Sequence, residues 1–95
     1  MNNVGINGFG RIGRSILRII VESNSDLNVI AINDLGDREN LVYLFKHDSI
    51  MGVLDLHVEL KGDDLIVGDR TIKLISHDDP ASIPWSDLGV DLVVE

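Results

Sequence analysis

The 95 residues contain no cysteine. Disulfides and thiolate metal sites are therefore excluded, and with them the usual support of a small secreted domain. Long hydrophobic runs are missing too, since no stretch of the sequence approaches the roughly 20 apolar residues that span a bilayer. The opening Met1-Asn2-Asn3 has neither a basic n-region nor a small-residue cleavage site. No signal peptide and no membrane partner are expected, and the cytoplasm is the expected compartment. Basic residues are scarce, eight against sixteen acidic ones, for a formal charge of −8. A general nucleic-acid binder needs a basic footprint for phosphates, so that class is set aside. His47, His57 and His77 show no metal-ligand spacing. Asp63-Asp64 and Asp78-Asp79 read as turn residues rather than as cation or acid–base pairs.

What is present points to one small folded domain: 44% apolar and 25% charged residues, without repeats or low-complexity tracts. Val4-Gly5-Ile6-Asn7 is β-leaning and runs into Gly8-Phe9-Gly10-Arg11-Ile12-Gly13, a G-x-G-x-x-G spacing. Ile12, Ile16, Ile19 and Ile20 then recur as on a helix with one buried face, with Arg14 and Arg18 four apart on another. Those two arginines read as a solvated face or as subunit contacts. Ser23 to Asp26 ends the helix, and Leu27 to Ile32 is a strand apolar enough to be covered on both sides. Strand, glycine turn, helix and strand make a βαβ unit.

The rest is more mixed. Asp37 is placed to cap a second helix over Arg38 to Lys46, with Leu41, Val42, Leu44 and Phe45 as its apolar side. Leu56, Val58 and Leu60 alternate with polar residues, and turns at Gly62-Asp63 and Gly68-Asp69 lead through Leu65-Ile66-Val67 into Thr71 to Ile75. This is a meander whose last strand can rejoin the main sheet. Pro80 to Trp85 reads as a loop or short helical turn with Trp85 packing, and Val90 to Glu95 as a further strand of buried character. The expected fold is α/β and Rossmann-type: the truncated first half of a doubly wound parallel sheet with an added antiparallel β-meander. Its parallel strands are expected in the spatial order third-second-first-fourth.

The glycine turn has a chemical reading. Gly8 allows the tight strand-to-helix turn, Gly10 lets the backbone approach a pyrophosphate, and Gly13 lets the helix approach the strand. The N–H groups of Gly10, Arg11 and Ile12 would hold the anion at the positive end of the helix dipole. Arg11 in the first turn opposes that dipole, by about 0.3–1 kcal/mol, which makes sense if an anion lies nearby. An acidic residue about 20 positions past the motif completes the pattern, and Asp34 stands there. A carboxylate at that point accepts both adenosine ribose hydroxyls and repels a 2′-phosphate, favouring NAD over NADP.

"VGINGFGRIGR" followed by "VIAIND" closely resembles the N-terminal segment of the phosphorylating glyceraldehyde-3-phosphate dehydrogenase family. The resemblance continues through "LVYLFKHDSIMG", with His47 where that family usually has tyrosine, and through "DDPASIPW" and "GVDLVVE". The sister family of erythrose-4-phosphate dehydrogenases is similar but typically has Glu at Asp34. The resemblance implies that residues 1–95 are a partial NAD-binding domain of an enzyme that oxidises an aldehyde through a cysteine thioester. The catalytic residues, the domain that carries them and most contacts of a homotetramer would lie outside this chain, so a small-molecule substrate is implied only for the whole enzyme. Carried over by motif position, the NAD residues are Asn7, Gly8, Phe9, Gly10, Arg11, Ile12, Gly13 and Asp34. The family's adenine-side arginine falls on Asp78, which lacks its cation and would keep only a backbone contact. A stand-alone nucleotide-binding module without catalysis is the reading from another class.

Overall fold

The run Val4-Gly5-Ile6 forms the buried middle of strand β1 (Asn3–Asn7). A computed structural model describes residues 2–23, 26–48, 52–53 and 56–95. In it β1 lies between two parallel partners, β2 (Asn28–Asn33) on one side and β8 (Leu92–Val94) on the other. Three further strands, β5 (Val58–Lys61), β6 (Asp64–Val67) and β7 (Arg70–Ile75), form the antiparallel meander. β7 joins the meander to the parallel sheet by pairing Ala31 to Asn33 with Lys73 to Ile75. The sheet order is β5-β6-β7-β2-β1-β8, and its parallel part, β7-β2-β1-β8, is the expected third-second-first-fourth order.

Helix α1 (Arg11–Glu22) follows the glycine turn, but it buries only part of the face the isoleucine spacing implied: Ile20 is buried and Ile16 packs against the core. Ile12 and Ile19 are 69% and 57% exposed, while Gly13, Leu17 and Ile20 face the sheet at i, i+4 and i+7. The cause is steric. Gly13 must face the strand, and Ile12, one residue earlier, is then turned away by about 100°. Arg18 also departs from a solvated face: it is 2% exposed, and its Nε meets Glu22 Oε1 at 3.3 Å. Ser23 closes the helix, with its N–H (2.9 Å) and Oγ (2.6 Å) both donating to the Ile19 carbonyl.

Helix α2 spans Arg38–Lys46 as expected and buries Phe45. Asp37 occupies the N-cap position, but its side chain makes no capping bond; its carbonyl accepts the Leu41 N–H instead. Arg38 reaches across to Asp63 and to the Leu74 carbonyl, tying α2 to the meander. After α2 a two-residue antiparallel pair, β3 (His47–Asp48) and β4 (Gly52–Val53), appears without warning from the sequence. Residues 49–51 of the family-like stretch lie outside the described residues. Pro80–Ser82 is a short 3-10 turn, and the Trp85 ring packs on β1 at Gly5. β8 is less buried than its composition suggested, with Leu92 53% exposed, and among the described residues it has one strand neighbour, β1. Among the described residues no helix is long and apolar enough to cross a membrane.

Candidate functional site

The carboxyl ends of β1, β2 and β7 bring the chemistry together. β1 stops at Asn7, and Gly8 turns the chain with φ +98°, a region a side chain rarely tolerates. The Gly8 N–H donates to the Asn33 carbonyl at 2.7 Å, so the turn is fastened to the end of β2. Phe9 buries its ring against Phe45, with centroids 5.7 Å apart, and its N–H donates to Asp34 Oδ2 at 2.7 Å. Gly10 is the N-cap of α1. The first bond of the helix runs from the Arg14 N–H to the Gly10 carbonyl at 2.9 Å, so the N–H groups of Arg11, Ile12 and Gly13 precede the ladder. Among the described residues no side chain caps the helix start, and no acidic residue occupies the first turn. These donors and the helix dipole together suit an anion.

The three glycines have different tasks. A Cβ on Gly13 would stand 2.5 Å from the Gly8 carbonyl oxygen and 3.1 Å from the Ile6 side chain, so Gly13 serves the close approach of helix to strand. Among the described residues a Cβ on Gly10 would meet no atom within 4 Å beyond its chain neighbours, and its φ of −83° suits any residue. Nothing in the fold asks for glycine there; a ligand lying on the backbone would.

Asp34 sits half-buried just past β2. Its Oδ2 accepts from Phe9 and its Oδ1 accepts the Gly36 N–H at 2.7 Å, which fixes the carboxylate between two loops. Each oxygen keeps a lone pair for a hydroxyl donor. Asn7 accepts from Asn33 through Oδ1 at 3.0 Å and donates through Nδ2 to Glu95 Oε1 at 3.3 Å. Arg11 and Ile12 are exposed on the first turn. Asp78 is exposed in the bend after β7, beside the Asp34 strand rather than in the glycine turn.

Sequence reading missed Asn33, which is 5% exposed and organises this end of the sheet. Its amide donates to Asn7 Oδ1 and to the His77 carbonyl (3.1 Å), while its oxygen accepts the His77 N–H at 2.7 Å. One side chain thus holds both backbone groups of the residue before Asp78. Ser76 Oγ adds a bond to the Asp34 carbonyl at 3.1 Å. The available signal was a polar residue closing an otherwise apolar strand.

A groove of about 410 Å³ runs along the glycine turn, bounded by Asn7, Gly8, Gly10, Arg11 and Ile12 on one side and Val94 and Glu95 on the other. It lies between β1 and β8, where the strand order reverses, the place where open α/β sheets bind ligands. A larger groove of about 1030 Å³ lies at the opposite ends of β2 and β7, near Asn28 and Arg70, away from this constellation. Chemistry rather than size selects the smaller one.

The model of the family described as "Glyceraldehyde 3-phosphate dehydrogenase, NAD binding domain" matches residues 2–95. The chain belongs to this family. Among its relatives, glyceraldehyde-3-phosphate dehydrogenase of Chlamydia pneumoniae is 52% identical over 92 residues, covering 97% of this chain and 28% of the relative. The Streptomyces coelicolor enzyme of the same name is 48% identical over 92 residues, with 97% and 27% covered. Glyceraldehyde-3-phosphate dehydrogenase 1 of Bacillus cereus is 46% identical over 95 residues, with 100% and 28% covered. The chain therefore spans little more than a quarter of the length of these relatives. Family membership makes NAD the cofactor of this domain, and the open backbone at Gly10, the uncapped start of α1 and the fixed Asp34 carboxylate fit it.

Proposed function

We propose that this chain holds the adenosine and pyrophosphate parts of NAD within an enzyme that oxidises and phosphorylates glyceraldehyde 3-phosphate. The observation that carries the proposal is the 2.7 Å bond from the Phe9 N–H to Asp34, which makes the glycine turn and the β2 carboxylate one unit. The N–H groups of Gly10, Arg11 and Ile12 receive the pyrophosphate, with Arg11 adding its charge from the first turn. Gly8 shapes the turn, Gly13 seats the helix, and Phe9 anchors the loop in the core. Asn7 borders the groove. Asp34 accepts the ribose hydroxyls, and a 2′-phosphate would bring a dianion against it, so NAD is preferred to NADP. Asp78 contributes backbone rather than charge on the adenine side. When bound, NAD supplies the hydride acceptor for the oxidation. These residues include no cysteine to carry a thioester, so their share of the reaction is to bind and orient the cofactor. In this proposal the whole enzyme is a cytoplasmic homotetramer, with residues 1–95 as part of its NAD-binding domain.

Calorimetric titration with NAD and NADP tests the site. Asp34→Ala is expected to weaken NAD binding by about tenfold, on the scale of a lost charged hydrogen bond, and to bring the two affinities together. Asp34→Asn keeps an acceptor but loses the charge, so it should relax the preference more than it weakens NAD. Unchanged NAD affinity in both variants would make Asp34 a loop residue only. Aldehyde-dependent NADH formation by the pure 95-residue chain would refute the assignment of chemistry elsewhere.

A further inference from the structure

Arg14 lies one turn into α1, and its Nη1 reaches back to donate to the Phe9 carbonyl at 3.3 Å. Its Nε is buried without a hydrogen-bond partner among the described residues, so Nη1 carries the contact with the loop. Phe9 is thereby held at three points. Its ring packs on Phe45, its N–H is bound by Asp34, and its carbonyl is bound by Arg14.

The geometry of a trans peptide gives this a consequence. The carbonyl of one residue and the N–H of the next point in opposite directions. With the Phe9 carbonyl turned towards Arg14, the Gly10 N–H is turned away from it. Gly10 is exposed there, with no protein atom within 4 Å of where a Cβ would stand. We propose that Arg14 is a positioning residue for pyrophosphate: by holding the Phe9 carbonyl, it keeps the Gly10 N–H facing the ligand before the ligand arrives. The proposal rests on the pyrophosphate reading of the glycine turn given above. Without that hold the Phe9–Gly10 peptide is free to rotate, and a carbonyl oxygen facing the site repels phosphate. Ordering the peptide in advance removes that cost from binding. Arg11 and Arg14 then divide the work, the first supplying charge at the rim and the second supplying geometry from behind.

Two ligands separate this role from general support of the fold. ADP carries a pyrophosphate and adenosine does not, yet both offer the same ribose to Asp34. Each is titrated into the ¹⁵N-labelled chain, as wild type, Arg14→Met and Arg14→Lys, following amide shifts. Arg14→Met should weaken ADP by about five- to tenfold, the fold-change of one ordinary hydrogen bond, with adenosine altered less than about twofold. The Gly10 amide should respond to ADP in the wild type and respond less in Arg14→Met. Arg14→Lys keeps a cationic donor on a long stem and should recover about half of the lost ADP affinity on a logarithmic scale. If Arg14→Met does not fold, Arg14→Lys takes its place, with a loss of about two- to threefold for ADP and none for adenosine. Equal losses for ADP and adenosine, or no loss for either, overturn the role of Arg14. A wild-type chain that binds neither ligand overturns the site itself, an outcome distinct from the failure of Arg14 alone.

Discussion

Gly10 and Gly13 are indistinguishable in the motif and opposite in the structure, which makes them a paired test. Gly13→Ala drives a methyl into the Gly8 carbonyl at 2.5 Å and should destabilise the fold by about 1–3 kcal/mol, as overpacking does. Gly10→Ala meets no protein atom and should leave stability within about 0.5 kcal/mol. Its effect should appear in binding, with NAD weakened by about tenfold or more, because in the proposed site the methyl would stand where the phosphate approaches. Thermal melts with and without NAD read both. Asn33 belongs at the same scale. Asn33→Leu strands the half-buried His77 N–H and should cost about 1–2 kcal/mol of stability, read by urea denaturation. Asp34 could be singled out from the sequence, and proposed as a ribose acceptor, because its distance from the glycines is fixed by the βαβ unit. Its hold on Phe9 and Gly36 was not, since those bonds depend on how two loops fold toward each other. Arg14 was likewise visible only as a charge on a helix until its reach to the Phe9 carbonyl was known.

At the scale of elements, most of the architecture could be read in advance. The limits of α2 and, to within about two residues, of the three meander strands could be read from apolar periodicity, alternation and turn residues. The rotation of α1 did not follow. Four isoleucines in helical register suggested a buried stripe, yet the glycine that meets the strand set the helix orientation. A direct check compares Leu17→Ala with Ile19→Ala. Leu17 faces the sheet and its loss should cost about 2–5 kcal/mol, as for buried leucines elsewhere. Ile19 is exposed, so its replacement should stay within about 0.5 kcal/mol. Similar destabilisation by both, in chemical denaturation, would mean that the helix is turned as its isoleucine spacing suggested. The β3–β4 pair escaped sequence reading because two-residue strands are too short to show any period.

At the scale of the molecule, β1 and β2 are interior strands, whereas β5 and β8 are the two edges of the six-stranded sheet. Amide hydrogen exchange should follow that order, slowest at Ile6, Ala31 and Ile32. It should be faster in β8 by on the order of a hundredfold, because an edge strand opens without disturbing the rest. Comparable protection in β8 and β1 would contradict the sheet order. The family match extends over nearly the whole chain, and the site lies at the end of the sheet where parallel strands bring successive loops side by side.

The sequence by itself determined the class of fold, the glycine turn and its acidic partner, because these are local patterns whose spacing a βαβ unit dictates. Only the tertiary structure decided which face of α1 is buried, that Asn33 holds the loop before Asp78, and that Arg14 grips the Phe9 carbonyl. Each of these depends on contacts between separate segments or on the direction a peptide plane takes after packing, and neither leaves a periodic trace in the chain.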